Sequence, residues 1–280
     1  MPLSPADIRA LEAKAREVRR GTCQMVHHAQ TGHIGGALSE TDYLVALYYH
    51  LLRVDPGNPA WPDRDRFILS KGHCVEPLYW ILADKGFFPT DELSQFSQPG
   101  SRLIGHTNRE VPGIEMNTGA LGHGLSGACG MVLAAKMDGA SWRTFCLLGD
   151  GELAEGSVWE AAMFASHHAL DDLYVAIDRN HLQITGPTEE VMAQEPLAER
   201  WRAFGFDVDE VDGNDMAAVV DALEASFSRP GKPHLLILHT VKGKGVSFME
   251  GQVGWHFGRL TPQELEQALT DLADPEEVAS

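Results

Sequence analysis

A chain of 280 residues with 44% hydrophobic content has material for one large core or two small ones. Forty acidic against 22 basic residues leave a formal charge of −18, which argues against nucleic acid or an anionic membrane as partner, since either wants a basic face. A small anionic ligand stays open, because the local field at a site can oppose the net charge.

The N-terminal "SPADIRALEAKAREVRRGTCQMVHHAQ" begins with a Ser-Pro helix start and spaces Ile8, Leu11, Ala15 and Val18 helically. It has no apolar core of a signal peptide, and no run in the chain reaches membrane-spanning length. Cys23, Cys74, Cys129 and Cys146 form no Cys-x-x-Cys pair and read as reduced thiols of a cytoplasmic protein. Further on, "TGHIGGALS" reads as a glycine-rich loop, "ETDYLVALYYHLL" as a helix and "VDPGNPAWPDRD" as a loop. "RFILS" reads as a short strand and "CVEPLYWILADKG" as a helix, with residues 97–121 irregular. "GHGLSGACGMVLAAKMDG" is a helix packed through small residues. It formally fits G-x-G-x-x-G, but "PGIEMNTGAL" before it is a poor strand, so the dinucleotide-binding context fails.

Strand "TFCLL", helix "ELAEGSVWEAAMFASHHAL", strand "LYVAID", strand "FDVDEV", helix "DMAAVVDALEASF" and strand "PHLLILHT" complete the pattern. Strands alternating with helices imply crossovers and an α/β, doubly wound, mostly parallel sheet. The acidic tail "DLADPEEVAS" reads as frayed.

"GDG" at 149–151 ends one apolar run. Asp-Gly is also a hairpin signal, but Leu153, Val158, Ala161, Ala162, Ala165 and Ala169 follow at helical rather than strand spacing. Asp150 therefore sits at a strand-to-helix turn, where ligands of doubly wound sheets bind. One strand later Asn180 stands just past a strand end. The pair offers two hard oxygens, to which a backbone carbonyl could add a third; Mg²⁺ favours such a set. An N-capping Asp beside an ordinary turn Asn reads equally well from these two residues alone.

Thirteen histidines are present, so most are structural or on the surface. His33, His73, His106 and His123 lie in or beside glycine-rich or irregular segments, which favours function; His123 could also only shape its turn. The pairs at 27–28 and 167–168 lie on helices and receive no role.

The span "GDGELAEGSVWEAAMFASHHALDDLYVAIDRNHLQITG" resembles the thiamine-diphosphate motif, a GDG with an Asn 30 positions on, and more narrowly resembles the transketolase family. Nearly the whole chain shares the likeness, in the family's order: "TGHIGGALSETDYLVALY", "DRDRFILSKGHCVEPLYWILADKG", "GHTN", "NTGALGHGLSGACGMVLAAKMDG", "HTVKGKGVSFME" and "WHFG". The resemblance implies thiamine diphosphate with Mg²⁺, or Ca²⁺ or Mn²⁺ as substitutes. Asp150 and Asn180 would bind the metal through side chains and Leu182 through its carbonyl. Gly151 would lie against the diphosphate, and Gly119, Ala120 and Leu121 against the cofactor, with His73, Asn180 and His256 also in contact. Glu155 matches the family's buried glutamate, a cofactor neighbour in proton communication between paired sites. His33, His73, His106 and His256 match histidines around the cofactor and the sugar hydroxyls. Such chemistry uses imidazole well, because it exchanges protons near neutral pH. By composition "VKGKG" (241–245) reads as a plain solvated loop, whereas the resemblance implies a loop near the cofactor channel whose basic pair draws in anions.

Two departures stand out: Ala120 where many relatives carry Pro or Ser, and "WHFG" where split forms commonly have Trp-His-Gly, which opens the shape of the acceptor channel to question. The resemblance further implies that residues 1–280 form one diphosphate-binding domain. The pyrimidine-binding and C-terminal domains, with the cofactor-activating glutamate, would reside on a C-terminal partner subunit in an α2β2 heterotetramer acting on sugar phosphates. An α-type subunit of a 2-oxo-acid dehydrogenase complex shares GDG–Asn but lacks "SKGH" and "VKGKGVSFME". A specialised split transketolase for a sugar outside the pentose phosphate set, and a non-catalytic scaffold, are the other readings. A scaffold has no need of Asp150, Asn180 and the histidine set.

Overall fold

A computed structural model describes residues 3–274. Helix α1 (Pro5–Ala29) starts where Ser4 and Asp7 cap each other reciprocally, with proline in the first turn. Residues 34–39, expected as loop, form helix α2 (Ile34–Ser39). Their glycines serve close approach: a Cβ on Gly35 would sit 2.5 Å from the Trp255 carbonyl oxygen, and one on Gly36 2.6 Å from Cys74 Sγ. Helix α3 (Thr41–Ala46) runs into a π turn (Leu47–Leu51). Then follow β1 (Arg66–Leu69), α4 (Glu76–Asp84), a 3₁₀ turn (Thr90–Gln95) and an irregular 97–121 before α5 (Gly124–Asp138) and β2 (Thr144–Gly149).

The long helix expected after Gly151 is broken. A 3₁₀ turn (Gly151–Ala154) comes first; Glu155, with ψ at 127°, then caps α6 (Gly156–His167). Next come β3 (Leu173–Arg179), a small antiparallel hairpin of β4 (Leu182–Gln183) and β5 (Gly186–Pro187), α7 (Thr188–Val191), α8 (Leu197–Ala203), β6 (Asp207–Asp212), α9 (Met216–Ser226) and β7 (His234–His239). Helix α10 (Pro262–Asp271), capped by a Thr261–Glu264 box, was not foreseen, and most of the tail expected to fray lies outside the described residues.

The main sheet has strand order β1-β2-β3-β7-β6 with every pairing parallel, as expected. Period-two alternation divides the strands between two apolar layers. Phe67, Leu69, Phe145, Leu147, Ala176, Leu236 and Leu238 face α1, α3, α4 and α9. Ile68, Cys146, Leu148, Val175, Ile177, Leu235 and Ile237 face α5, α6 and α8. A third cluster joins α1 and α2 to the 246–260 loop and α10.

The register aligns the carboxyl ends of the strands. Leu69 pairs with Leu147, Gly149 with Asp178, and Arg179 with His239. Four chain exits therefore share one edge, carrying Lys71, Asp150, Asn180 and Lys242.

Candidate active site

A cavity of about 330 Å³ opens at that edge, lined among others by His33, Lys71, His73, His106, Asp150, Asn180, Leu182, Lys242 and His256. Asp150 follows β2 and is 2% exposed. Its Oδ1 accepts from Gly151 N–H at 2.8 Å and its Oδ2 from His181 N–H at 2.7 Å. Burial raises its pKa to about 6, with Asp178 adding to the effect and Arg179 opposing it.

Asn180 follows β3 and is 8% exposed. Its Nδ2 donates to Asp178 Oδ2 at 3.0 Å, so the carboxylate fixes the amide and leaves Oδ1 as the acceptor side, where Leu182 N–H donates at 3.1 Å. The Leu182 carbonyl accepts from Lys242 Nζ at 3.0 Å, so this oxygen already serves a cation. Carboxylate, amide oxygen and carbonyl form a hard-oxygen set that fits Mg²⁺. The expected ligands thus converge as the strand register requires.

The cofactor-side residues divide. Gly119, Leu121 and Gly151 line the cavity, whereas Ala120 between them is exposed and outside the lining. Gly119 has φ +135°, and a Cβ there would meet His106 at 2.5 Å. A bare backbone beside the cavity leaves room for a bulky ligand. Glu155 is exposed on this chain, and the buried glutamate of the segment is Glu152. Glu152 accepts from Ser70 Oγ, from Gly122 N–H at 2.8 Å and from Gly149 N–H at 3.0 Å, tying the ends of β1 and β2 to the start of α5.

Four histidines form one cluster. The His33 ring lies 5.0 Å from His73, 5.9 Å from His106 and 5.7 Å from His256, and His73 stacks on His256 at 5.5 Å. Burial, then nearby cationic and imidazole groups, lowers His33 to about 4, His73 to about 2 and His256 to about 3; burial lowers His106 too. All four are neutral at pH 7, each offering one donor and one acceptor. His123 is exposed at the N-cap of α5, outside the cavity lining, its Nδ1 3.0 Å from the Leu121 carbonyl oxygen.

The basic pair of "VKGKG" does not act as a pair. Lys242 is buried in the cavity, between the Leu182 carbonyl and His256 Nδ1 at 3.0 Å, while Lys244 lies outside the lining with Glu250 at 3.9 Å. Phe257, the extra residue of "WHFG", is 52% exposed and packs on His33 with ring centroids 4.8 Å apart. Lys71, Glu152, Asp178, Gln183 and Ile184 escape the sequence reading, although Lys71 stands two residues past β1 and Asp178 two residues before Asn180.

An all-parallel sheet covered on both faces, with a carboxylate, an amide and buried cations at its carboxyl edge, defines a diphosphate-binding α/β domain. The family model for the thiamine diphosphate binding domain of transketolase matches residues 11–277. One of the subunits of the apulose-4-phosphate transketolase of Phocaeicola vulgatus is 48% identical over 267 residues, which cover 95% of each chain. A 6-deoxy-6-sulfo-D-fructose transketolase subunit of a Clostridium species is 43% identical, over 94% of this chain and 96% of its own. The solved transketolase of Leishmania mexicana superposes with a TM-score of 0.88 at 31% identity, over 97% of this chain and 42% of that one. This chain belongs to the transketolase family as its thiamine-diphosphate-binding part, and the enzyme it serves is a transketolase.

Proposed function

We propose that the chain is the diphosphate-binding subunit of a split transketolase, moving a two-carbon ketol unit from a ketose phosphate to an aldose phosphate together with a separate C-terminal subunit. The observation that carries the reading is the single cavity into which Asp150, Asn180, Leu182, Gly119, Gly151 and four neutral histidines converge. Relatives of matching length that are named as subunits support the separate partner. The chain spans 42% of the solved transketolase of Leishmania mexicana.

Bound thiamine diphosphate supplies the nucleophilic carbon and the electron sink of ketol transfer. Asp150, Asn180 and the Leu182 carbonyl would hold Mg²⁺, and Lys242 would face the diphosphate. A neutral imidazole of the cluster takes a proton from a sugar hydroxyl at its bare nitrogen and later returns it. Glu155, exposed on this chain, would be covered only by another chain, which ties its role to an α2β2 assembly. The reading includes a cytoplasmic location, consistent with four buried, unpaired cysteines.

The test is co-purification with the C-terminal subunit, followed by an assay of ketol transfer with Mg²⁺ and thiamine diphosphate. Absence of transfer from any ketose phosphate or its sulfonated or branched analogues sinks the reading. Calorimetry of Asp150→Ala in the complex should find metal-dependent cofactor binding abolished, and unchanged affinity would remove the metal assignment. A specialised sugar is the second reading. Its support is that the named relatives act on apulose-4-phosphate and on 6-deoxy-6-sulfo-D-fructose, and that Phe257 alters the wall beside His33.

A further inference from the structure

One buried cation at the carboxyl edge has no part in the reaction outlined above. Arg179 ends β3 with its side chain 1% exposed, although two of its partners, Glu189 and Glu195, are largely in solvent. Nη1 donates to Asp150 Oδ2 at 3.3 Å and to Thr188 Oγ1 at 2.7 Å. Nη2 donates to Glu189 Oε1 and to Glu195 Oε1, each at 2.8 Å.

Thr188, Glu189 and Glu195 belong to a single segment. Glu189 also accepts from Gln194 N–H at 3.1 Å, and Glu195 from Leu197 N–H at 2.8 Å. Gln194 Nε2 returns to the Asp150 carbonyl at 2.5 Å, so the segment is fastened to Asp150 directly at the backbone and through Arg179 at the side chain. Between Arg179 and these anchors runs the β4–β5 hairpin, closed at its base by Thr188 N–H donating to the His181 carbonyl at 2.9 Å. Leu182, Gln183 and Ile184 of that hairpin line the cavity.

We propose that Arg179 is a positioning residue: its guanidinium holds the Asp150 carboxylate and the 181–187 hairpin in one register, so that the carboxylate and the Leu182 carbonyl are presented together to a metal ion. The metal half of this statement rests on the function proposed above; the register half does not. Arginine suits the task because its planar fork reaches partners on two sides with fixed geometry, which a lysine ammonium cannot reproduce. The buried setting strengthens the bonds to Asp150 and Thr188 and makes losing the cation costly to the Asp150 carboxylate.

The test uses the full chain with its partner subunit, in the variants Arg179→Met, Arg179→Lys and the milder Glu195→Gln, which alters only an exposed partner. Hydrogen exchange without ligand should accelerate about tenfold or more at amides 181–195 in Arg179→Met, while β2 amides keep their protection. The Mg²⁺ concentration for half-maximal thiamine diphosphate binding should rise about tenfold in Arg179→Met, less in Arg179→Lys and about twofold in Glu195→Gln. Uniformly faster exchange with an unchanged Mg²⁺ requirement would make Arg179 a stabiliser of the fold alone and overturn the proposal. Unchanged exchange at 181–195 would overturn it too, and Glu195→Gln gives that answer should Arg179→Met not fold. If the wild-type complex binds cofactor without Mg²⁺ and Asp150→Ala changes nothing, the metal reading fails instead, and local exchange still decides the register half.

Discussion

Lys71 follows β1 and Lys242 follows β7, and both are buried at the same cavity, yet their surroundings differ in kind. Lys71 lies between two fully buried carboxylates, in contact with Asp178 and 2.9 Å from Glu40. Asp178 is further held by Thr240, by Ser39 Oγ at 2.7 Å and by Asn180, and these contacts with Lys71 lower its pKa despite burial. One ammonium satisfies one carboxylate, and burial pushes Glu40 up to about 8. Lys242 has no carboxylate ion-pair partner among the described residues, and burial lowers its pKa. The first lysine is neutralised by the fold; the second is left to meet an anion from outside.

The largest expected break of this contrast is Lys71→Met. Removing one partner of a buried ion pair costs about 3–5 kcal/mol, so chemical denaturation should show a loss of that order. Lys242→Met should show none, or a small gain.

A pH titration sharpens the Lys71 side. Glu40, and Glu76 at about 7, sit above the ordinary carboxylate value of 4.5, so the native state keeps protons that the unfolded chain releases. Stability therefore falls as pH rises through that range. Below about pH 6.5 the lowered histidines oppose the trend, which leaves a clear window between about 6.5 and 8. At about 1.4 kcal/mol per proton and pH unit, Glu40 alone supplies up to about 2 kcal/mol there. Denaturation midpoints across the window should fall in the wild type and flatten in Glu40→Gln.

On the Lys242 side, Lys242→Met in the complex should weaken thiamine diphosphate binding about tenfold, or about 1.4 kcal/mol. Calorimetry at two ionic strengths should also find a shallower salt dependence. The smallest effect, about 1 kcal/mol, is expected for Ser4→Ala, which removes the α1 cap far from either lysine. Thermal unfolding should register it with cofactor affinity unchanged.

Strand-helix alternation made the sheet legible, and GDG with a distant Asn located its functional edge, because local patterning carries both. Other features depended on neighbours the sequence does not list. Gly35 and Gly36 read as a loop since glycine signals freedom, whereas here it admits Trp255 and Cys74. Glu152 and Glu155 both look like ordinary helix-start acids, and the break at Glu155 decides which one turns inward. Arg179 and Lys71 acquire partners from segments 16 and 107 residues away, which no periodicity announces.

Two main-chain hydrogen bonds join the 32–36 turn to the loop over 200 residues later: Gly243 N–H to the Gly35 carbonyl and Gly258 N–H to the Gly32 carbonyl, each at 2.9 Å. The apolar cluster of Ile34, Leu38, Val246 and Met249 packs the same join, and together they bring His33 and His256 to one wall. Phe257 rides on this join, so exchange of its side chain reshapes the cavity wall beside His33 while the two main-chain bonds stay in place.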